Sequence, residues 1–164
     1  MTEIDFRTTS LDQLVRSVRE KQISARELTE ASLDRIQRLN PLYNAFVVVD
    51  GDRALHAAAG IDERIVAGDD PGPLAGIPLG VKDLQNAIGF RTTFGSALHA
   101  DDPPATYDDP FVARMRAAGC VVLGKTNTPE FGWMGNTTNA VFGPSLNPFD
   151  TSRGPGGSSG GASA

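Results

Sequence analysis

The sequence predicts an α/β fold in which helices cover both faces of a mixed central sheet, preceded by N-terminal helices. The first observation is the distribution of glycine and proline: residues 1–70 contain 3 glycines and 1 proline, whereas residues 71–164 contain 15 and 10. Because both residue types punctuate regular structure, the first part is expected to be helical and the second rich in strands, turns and loops. The second observation is an apolar strand, a helix and another apolar strand in succession, which is typical of a sheet covered on both faces.

Capping boxes mark the start of two N-terminal helices. Ser10 and Gln13 can each satisfy a free backbone N–H at the first helix, and Ser24 and Glu27 can do so at the second. Apolar or small residues then recur at helical spacing, and we expect Asn40-Pro41 to end the second helix. The two stripes are Leu11, Leu14, Val15 and Val18, and Ala25, Leu28, Ser32, Ile36 and Leu39.

The remaining elements follow in order along the chain. We predict a short strand over residues 43–49, a third helix from about 52 to 66 and a strand over 77–81. A helix from about 110 to 118, stopped by Gly119, leads into an apolar strand over 120–123. We therefore divide the chain into a helical cap region, residues 1–70, and the start of an α/β core, residues 71–164.

Composition limits the classes of function. The chain is 40% hydrophobic and 21% charged with a net charge of −5, which is ordinary for a soluble globular protein. Its 15 basic residues are scattered, which argues against nucleic-acid binding. The longest apolar runs have about five residues, far below the roughly 20 that a membrane helix needs. The first five residues include Glu3 and Asp5 and lack the apolar segment of a secretory signal.

Cys120 is the single cysteine and stands in an apolar run. Free cysteine behaves as a small hydrophobic residue, so we interpret Cys120 as a buried structural thiol rather than a catalytic one. The lack of a disulfide fits a cytoplasmic location. The amphipathic helices could pack on the domain itself or on a second copy, so a homodimer is possible.

The last stretch, residues 153–161, is rich in glycine and contains two serines. A phosphate-binding loop is disfavoured, because Ala162 stands where the lysine of that motif is required and Ser159 replaces the last glycine of a dinucleotide motif. A flexible linker is an alternative, but the run is short and contains arginine and proline. A catalytic serine loop is the third interpretation, since glycine lets the backbone approach a substrate closely.

A catalytic serine needs a base. The two histidines, His56 and His99, lie in segments without other signs of catalysis, so a serine–lysine arrangement is the alternative. Lys82 follows an apolar strand, and ligand sites favour strand ends; a surface lysine paired with Asp83 is the plainer interpretation. Lys125 has the same position after its own strand, so these arguments do not choose between the two lysines.

Four blocks of sequence stand out over about 90 residues. They are GIPLGVKD at residues 76–83, GKTNTPEF at 124–131, FGPSLNPFD at 142–150 and RGPGGSSGG at 153–161. Together and in this order they resemble the amidase-signature family, which uses a serine–cis-serine–lysine triad, with Phe149 where tryptophan is usual. The resemblance implies that this chain carries the N-terminal portion of a single amidase domain.

The resemblance also implies roles for individual residues. Lys82 corresponds to the base, and Ser158 to the bridging serine, whose preceding peptide bond is cis. Lys125 belongs to a family block without being its base, so we interpret it as structural or ion-pairing. Four further residues are expected to contact the substrate. They are Phe131, Gly132, Gly156 and Gly157.

The implied function is hydrolysis of a carboxylic amide, a small-molecule substrate, through an acyl-serine intermediate, with no cofactor and no metal. The family's nucleophilic serine lies further along than Ala164, so we expect the 164 residues alone to lack the covalent step. The alternatives are the amidase component of a tRNA-dependent amidotransferase and an inactive truncated fragment. Residues 128–139 resemble stand-alone amidases more than the amidotransferase component.

Overall fold

The structure, a computed structural model, describes residues 4–164; residues 1–3, part of the N-terminal stretch interpreted above, lie outside the described residues. Helices and strands follow one another in the predicted order. Their bounds are α1 Leu11–Arg19, α2 Ala25–Tyr43, β1 Phe46–Val49, α3 Gly51–Ala67, β2 Pro78–Lys82, α4 Pro110–Ala117, β3 Val121–Thr126 and α5 Gly160–Ser163, with 3-10 turns at Ala97–His99 and Glu130–Gly132.

The three strands form one sheet in the order β1-β3-β2. β1 pairs antiparallel with β3, with Val48 opposite Lys125 and Val49 opposite Gly124. Hydrogen bonds join β2 and β3 at both ends: Val121 N–H donates to the Ile77 carbonyl and Asp83 N–H to the Thr126 carbonyl. Corresponding ends of β2 and β3 therefore meet, so these two strands are parallel and the sheet is mixed, as predicted.

The described chain falls into two compact units. The first comprises the described residues up to Asp34, together with Asp50–Leu79 and Arg114–Leu123; the second comprises Arg35–Val49, Gly80–Ala113 and Gly124–Ala164. The division at residue 70 into a cap region and a core stays a prediction about the whole protein.

In the first unit, helix starts follow the sequence signals. Ser10 and Gln13 form the complete capping box at α1. At α2, Glu27 N–H donates to Ser24 Oγ at 3.0 Å and Ser24 N–H to Glu27 Oε2 at 2.8 Å. These reciprocal bonds satisfy backbone donors that a helix start leaves free. The two stripes are buried in part, and Leu11 is 54% exposed. Their buried members are Leu14, Val18, Ala25, Leu28 and Ser32, and Ala54, Ala58 and Ile61 of α3 are buried as well.

Helix α2 continues past the predicted stop at Asn40-Pro41 and ends at Tyr43. A proline removes one backbone donor, and the last turn continues because Asn44 N–H donates to the Asn40 carbonyl at 2.8 Å. Asn44 itself has φ +49°, a left-handed conformation that ends helices. The stop signal is therefore Asn44, and β1 begins later than predicted for the same reason.

Strand β3 is longer than the apolar run that predicted it. It extends through Gly124, Lys125 and Thr126, and all six of its residues are buried. Gly124 is required by close strand approach, since a Cβ there would lie 2.0 Å from the Val48 carbonyl oxygen. No helix within residues 4–164 combines the length and apolar character that crossing a bilayer would require.

Candidate active site

Lys82, the last residue of β2, meets the serine pair of the glycine-rich loop. Its Nζ lies 2.7 Å from Ser158 Oγ and 3.0 Å from Ser159 Oγ, both in hydrogen-bonding geometry. Ser158 and Ser159 follow Lys82 by 76 and 77 residues in the sequence. The fold of the second unit therefore brings the lysine and the two serines together. Of the two candidate lysines, Lys82 is the one in contact with Ser158.

Lys125 lies in a buried ion pair with Asp83. Its Nζ is 3.0 Å from Asp83 Oδ1, and the two side chains are 0% and 1% exposed. Nζ also donates to Thr92 Oγ1 at 2.8 Å, while Asp83 accepts from the Thr93 hydroxyl at 2.5 Å. The ion-pairing interpretation of Lys125 is confirmed, and the pairing of Lys82 with Asp83 is wrong.

The separate partners of Lys82 and Asp83 follow from strand geometry. Neighbouring side chains on an extended chain point to opposite faces, so these residues diverge at the end of β2. Asp83 is ion-paired with Lys125, and within residues 4–164 the hydrogen-bond partners of Lys82 Nζ are serine hydroxyls rather than carboxylates. Partial burial lowers the pKa of Lys82, because a charged amine loses hydration there. A lowered pKa favours the neutral amine that can accept a proton.

The glycine-rich loop has the cis peptide bond that the resemblance implied, between Gly157 and Ser158. Backbone and side-chain hydrogen bonds anchor the loop on residues 127–137. Thr128 Oγ1 donates to the Ser158 carbonyl at 3.2 Å, and Gly161 N–H donates to the Asn127 carbonyl at 3.1 Å. The loop is therefore held on the end of β3 and the segment that follows it.

Two loop glycines allow this close contact. A Cβ at Gly157 would lie 2.7 Å from the Gly135 carbonyl carbon, and one at Gly161 would lie 2.2 Å from Asn127 N. Both neighbours are backbone atoms, which cannot move aside as a flexible side chain can. Gly156 differs: it has φ +89°, and within residues 4–164 no atom beyond its chain neighbours lies within 4 Å of a Cβ position, so its requirement is the left-handed backbone.

Gly132 borders Ser158. A Cβ on Gly132 would lie 2.6 Å from Leu84 Cδ1, too close to be tolerated without a shift of that side chain, and 3.8 Å from Ser158 Oγ, an ordinary van der Waals contact. The preceding residue, Phe131, is 53% exposed and has φ +50°. Its ring stacks on Phe94 with centroids 6.2 Å apart. The structure thus places Gly132 beside Ser158, with Phe131 leading into an aromatic cluster.

That aromatic cluster includes one histidine. The His99 ring lies edge-on to Phe94 at 5.1 Å and to Phe131 at 6.0 Å, and its Nδ1 is 2.7 Å from Asp102 Oδ2. The contacts of His99 are thus with Phe94, Phe131 and Asp102. No spacing or motif in the sequence signals the contacts of Phe131 with Phe94 and His99, so these neighbours were not predicted.

Cys120 is buried as predicted, at 5% exposure. Burial raises the pKa of the thiol to about 11, since a thiolate is poorly solvated in apolar surroundings. A protonated, inaccessible thiol is a poor nucleophile, which agrees with a structural role.

Taken together, the site offers a lysine amine of lowered pKa, hydrogen-bonded to a serine hydroxyl on an anchored loop. Such a pair can move a proton between the amine and a third group that contacts the serine. Within residues 4–164, no group of three or more histidine, cysteine, aspartate or glutamate side chains is arranged to hold a metal ion.

The sequence profile of the Amidase family matches residues 27–164, and the chain belongs to that family. It is 48% identical over 153 residues to a glutamyl-tRNA(Gln) amidotransferase subunit of Acidothermus cellulolyticus, covering 93% of this chain and 30% of that protein. The corresponding protein from Salinispora tropica is 47% identical over 160 residues, covering 98% of this chain and 32% of that protein.

Solved structures of amidase-signature enzymes share the fold. A bacterial aryl acylamidase of this family superposes with a TM-score of 0.88 at 38% identity, covering 94% of this chain and 32% of that one. The peptide amidase of Stenotrophomonas maltophilia gives 0.87 at 35% identity, covering 95% and 33%. The chain therefore spans about a third of the length of the relatives it matches.

Proposed function

We propose that the complete protein is an amidase, in which Lys82 is the base and Ser158 relays a proton to and from a nucleophilic serine. The observation that carries the proposal is the 2.7 Å hydrogen bond between Lys82 Nζ and Ser158 Oγ. Family membership supports it, since the aryl acylamidase and the peptide amidase are both amide-cleaving enzymes by name.

The proposed reaction begins with neutral Lys82. Its Nζ takes the Ser158 proton while Ser158 takes the proton of the attacking serine, which the family resemblance places beyond residue 164. The serine oxygen bonds to the amide carbon, the C–N bond breaks, and the leaving nitrogen receives the proton back through Ser158. Water then attacks the acyl ester through the same relay, releasing the acid and restoring the serine.

The substrate-contacting roles remain part of the proposal. Gly132 lies next to Ser158, so we assign its backbone to the wall of the acyl-binding site. Gly156 and Gly157 present backbone at the same loop, and the half-exposed Phe131 ring would give an apolar wall. We propose a small carboxylic amide as the substrate, with neither cofactor nor nucleic acid, in a cytoplasmic enzyme that can form a homodimer.

The test uses the complete reading frame that encodes this chain. Ammonia release is measured from propionamide, benzamide and phenylacetamide, with Lys82→Ala and Ser158→Ala as the active-site variants. We expect turnover of at least one amide, with a loss of about 10³-fold or more in each variant, as for the removal of a member of a catalytic triad. No turnover, or a Lys82→Ala variant equal to wild type, would refute the proposal.

A second candidate is the amidase component of a tRNA-dependent amidotransferase. The identity of 48% to a glutamyl-tRNA(Gln) amidotransferase subunit favours it, whereas residues 128–139 favour a stand-alone amidase. Both candidates use the same relay, so the difference lies in partners. Glutamine hydrolysis that requires co-expressed partner proteins would support the amidotransferase; hydrolysis of simple amides by the purified protein alone would support the stand-alone enzyme.

A further inference from the structure

Thr137 is a buried residue that joins both sides of the serine loop through one hydroxyl. It is 0% exposed. Its Oγ1 donates to the Gly156 carbonyl at 2.9 Å and accepts from Gly160 N–H at 3.0 Å. A hydroxyl can do both at once because it has one donor proton and two lone pairs. The residues between these two bonds are 157–159, the segment that carries the serine pair.

The approach of Thr137 to the loop depends on Gly160. A Cβ on Gly160 would lie 2.2 Å from Thr137 Oγ1 and 2.5 Å from Thr137 Cβ, well inside any tolerated contact. Gly160 is itself buried, so its N–H has no access to bulk solvent and needs a protein acceptor. The missing side chain of Gly160 lets Thr137 approach, and the Thr137 hydroxyl in turn accepts the hydrogen bond that Gly160 N–H needs.

Thr137 is held in place from its other side. Its carbonyl accepts a hydrogen bond from Ser145 N–H at 3.0 Å. Ser145 is 1% exposed, and its hydroxyl donates to the Asn44 carbonyl at 2.7 Å while accepting from Asn127 Nδ2 at 3.0 Å. The hydroxyl that bridges the loop thus projects from a fixed backbone, which is what a positioning contact requires.

We infer that Thr137 is a positioning residue for the reaction: its hydroxyl closes the loop and holds Ser158 Oγ at Lys82 Nζ. The inference rests on the proposed function, because it assigns Thr137 a task only if Ser158 relays protons. Thr137 acts through the backbone on either side of Ser158. Loss of its hydroxyl would leave Gly160 N–H without an acceptor and free the loop to shift, and a displacement of about 1 Å can cost about 10²-fold in rate.

The experiment compares Thr137→Ser, Thr137→Ala and Thr137→Val in the complete reading frame, on whichever of propionamide, benzamide or phenylacetamide the wild type hydrolyses. Thr137→Ser keeps the hydroxyl, and we expect its kcat within about threefold of wild type. Thr137→Ala lacks that hydroxyl, and Thr137→Val lacks it while keeping the shape of the side chain. We expect both to lose about 10–100-fold in kcat with KM within about threefold.

Thr29→Val is the matched control. Thr29 is also 0% exposed, but its Oγ1 has no hydrogen-bond partner among residues 4–164, so removing that hydroxyl should leave kcat unchanged. Thr137→Ala or Thr137→Val with wild-type kcat would overturn the inference, as would failure of both to fold while Thr137→Ser folds, because the hydroxyl would then serve folding. Activity that survives in Lys82→Ala and Ser158→Ala would instead refute the proposed function.

Discussion

Replacing Lys125 by methionine should destabilise the protein severely, because it leaves the Asp83 carboxylate buried without its counter-charge. The two charges are 3.0 Å apart, and the side chains are 0% and 1% exposed. Breaking a buried pair by removing one partner costs about 3–5 kcal/mol. The Thr93 hydrogen bonds to Asp83 remain and place the expected loss near the lower end of that range.

The chain provides a matched control at the same distance. Arg16 and Asp12 also lie 3.0 Å apart, but their side chains are 66% and 80% exposed. An exposed i,i+4 pair contributes only about 0.3–0.5 kcal/mol, since water screens both charges. Like Lys125→Met, Arg16→Met removes the positive charge of an ion pair whose charged atoms are 3.0 Å apart. The difference between the two losses of stability therefore reports the effect of burial.

The assay is urea unfolding of the complete protein, followed by fluorescence and circular dichroism so that coincident transitions justify a free energy. We expect Lys125→Met to lower the free energy of unfolding several times more than Arg16→Met. The double variant Lys125→Met/Asp83→Leu should recover much of the loss, because no unpaired charge remains. Losses below about 1 kcal/mol for Lys125→Met, equal to those of Arg16→Met, would refute the reasoning.

Three other properties can be checked on the same protein. The proposed mechanism uses neutral Lys82, and burial lowers the pKa of this lysine from its ordinary value of 10.5. We therefore expect kcat/KM to rise with pH with a midpoint below 10.5; a midpoint at or above that value would contradict the lowered pKa. Burial raises the pKa of Cys120 to about 11, so we expect iodoacetamide to leave this thiol unlabelled in the folded protein at about pH 8, near the ordinary pKa of a thiol. Mass spectrometry of the peptide that contains Cys120 should show the label only after denaturation. Gly124→Ala should cost about 1–3 kcal/mol by overpacking against Val48, whereas Gly60→Ala, with open space around it in α3, should stabilise by about 0.5–1 kcal/mol in thermal unfolding.

The sequence predicted the parts of the fold that depend on local pattern. Capping residues at Ser10 and Ser24 mark real helix starts, and the strand–helix–strand order is correct. Predictions were weaker where polar residues are buried. β3 continues through Lys125, whose charge is paired with Asp83, and through Thr126, whose carbonyl accepts a hydrogen bond from Asp83 N–H. An apolar run cannot reveal such a continuation.

The candidate site likewise contains residues that the sequence predicted and residues that it did not. The motif resemblance pointed to Lys82 and Ser158, and the structure brings them within hydrogen-bonding distance. The contacts of Thr137 with the serine loop had no signal, because a single threonine in a polar stretch carries no pattern. Their partners are backbone atoms, and a backbone contact over about 20 residues is set by the fold rather than by residue type.

The mass of the complete protein during turnover shows directly whether an acyl-serine forms with the help of Lys82 and Ser158. The complete protein is mixed with an amide that it hydrolyses, and the reaction is quenched in acid within the first turnovers. The mass of the intact protein is then measured by mass spectrometry. We expect a species heavier by the acyl group in wild type, and much less of it in Lys82→Met and Ser158→Ala. An adduct that forms equally fast in Lys82→Met, or ammonia release with no adduct under conditions that trap acyl-serines, would contradict the lysine–serine relay.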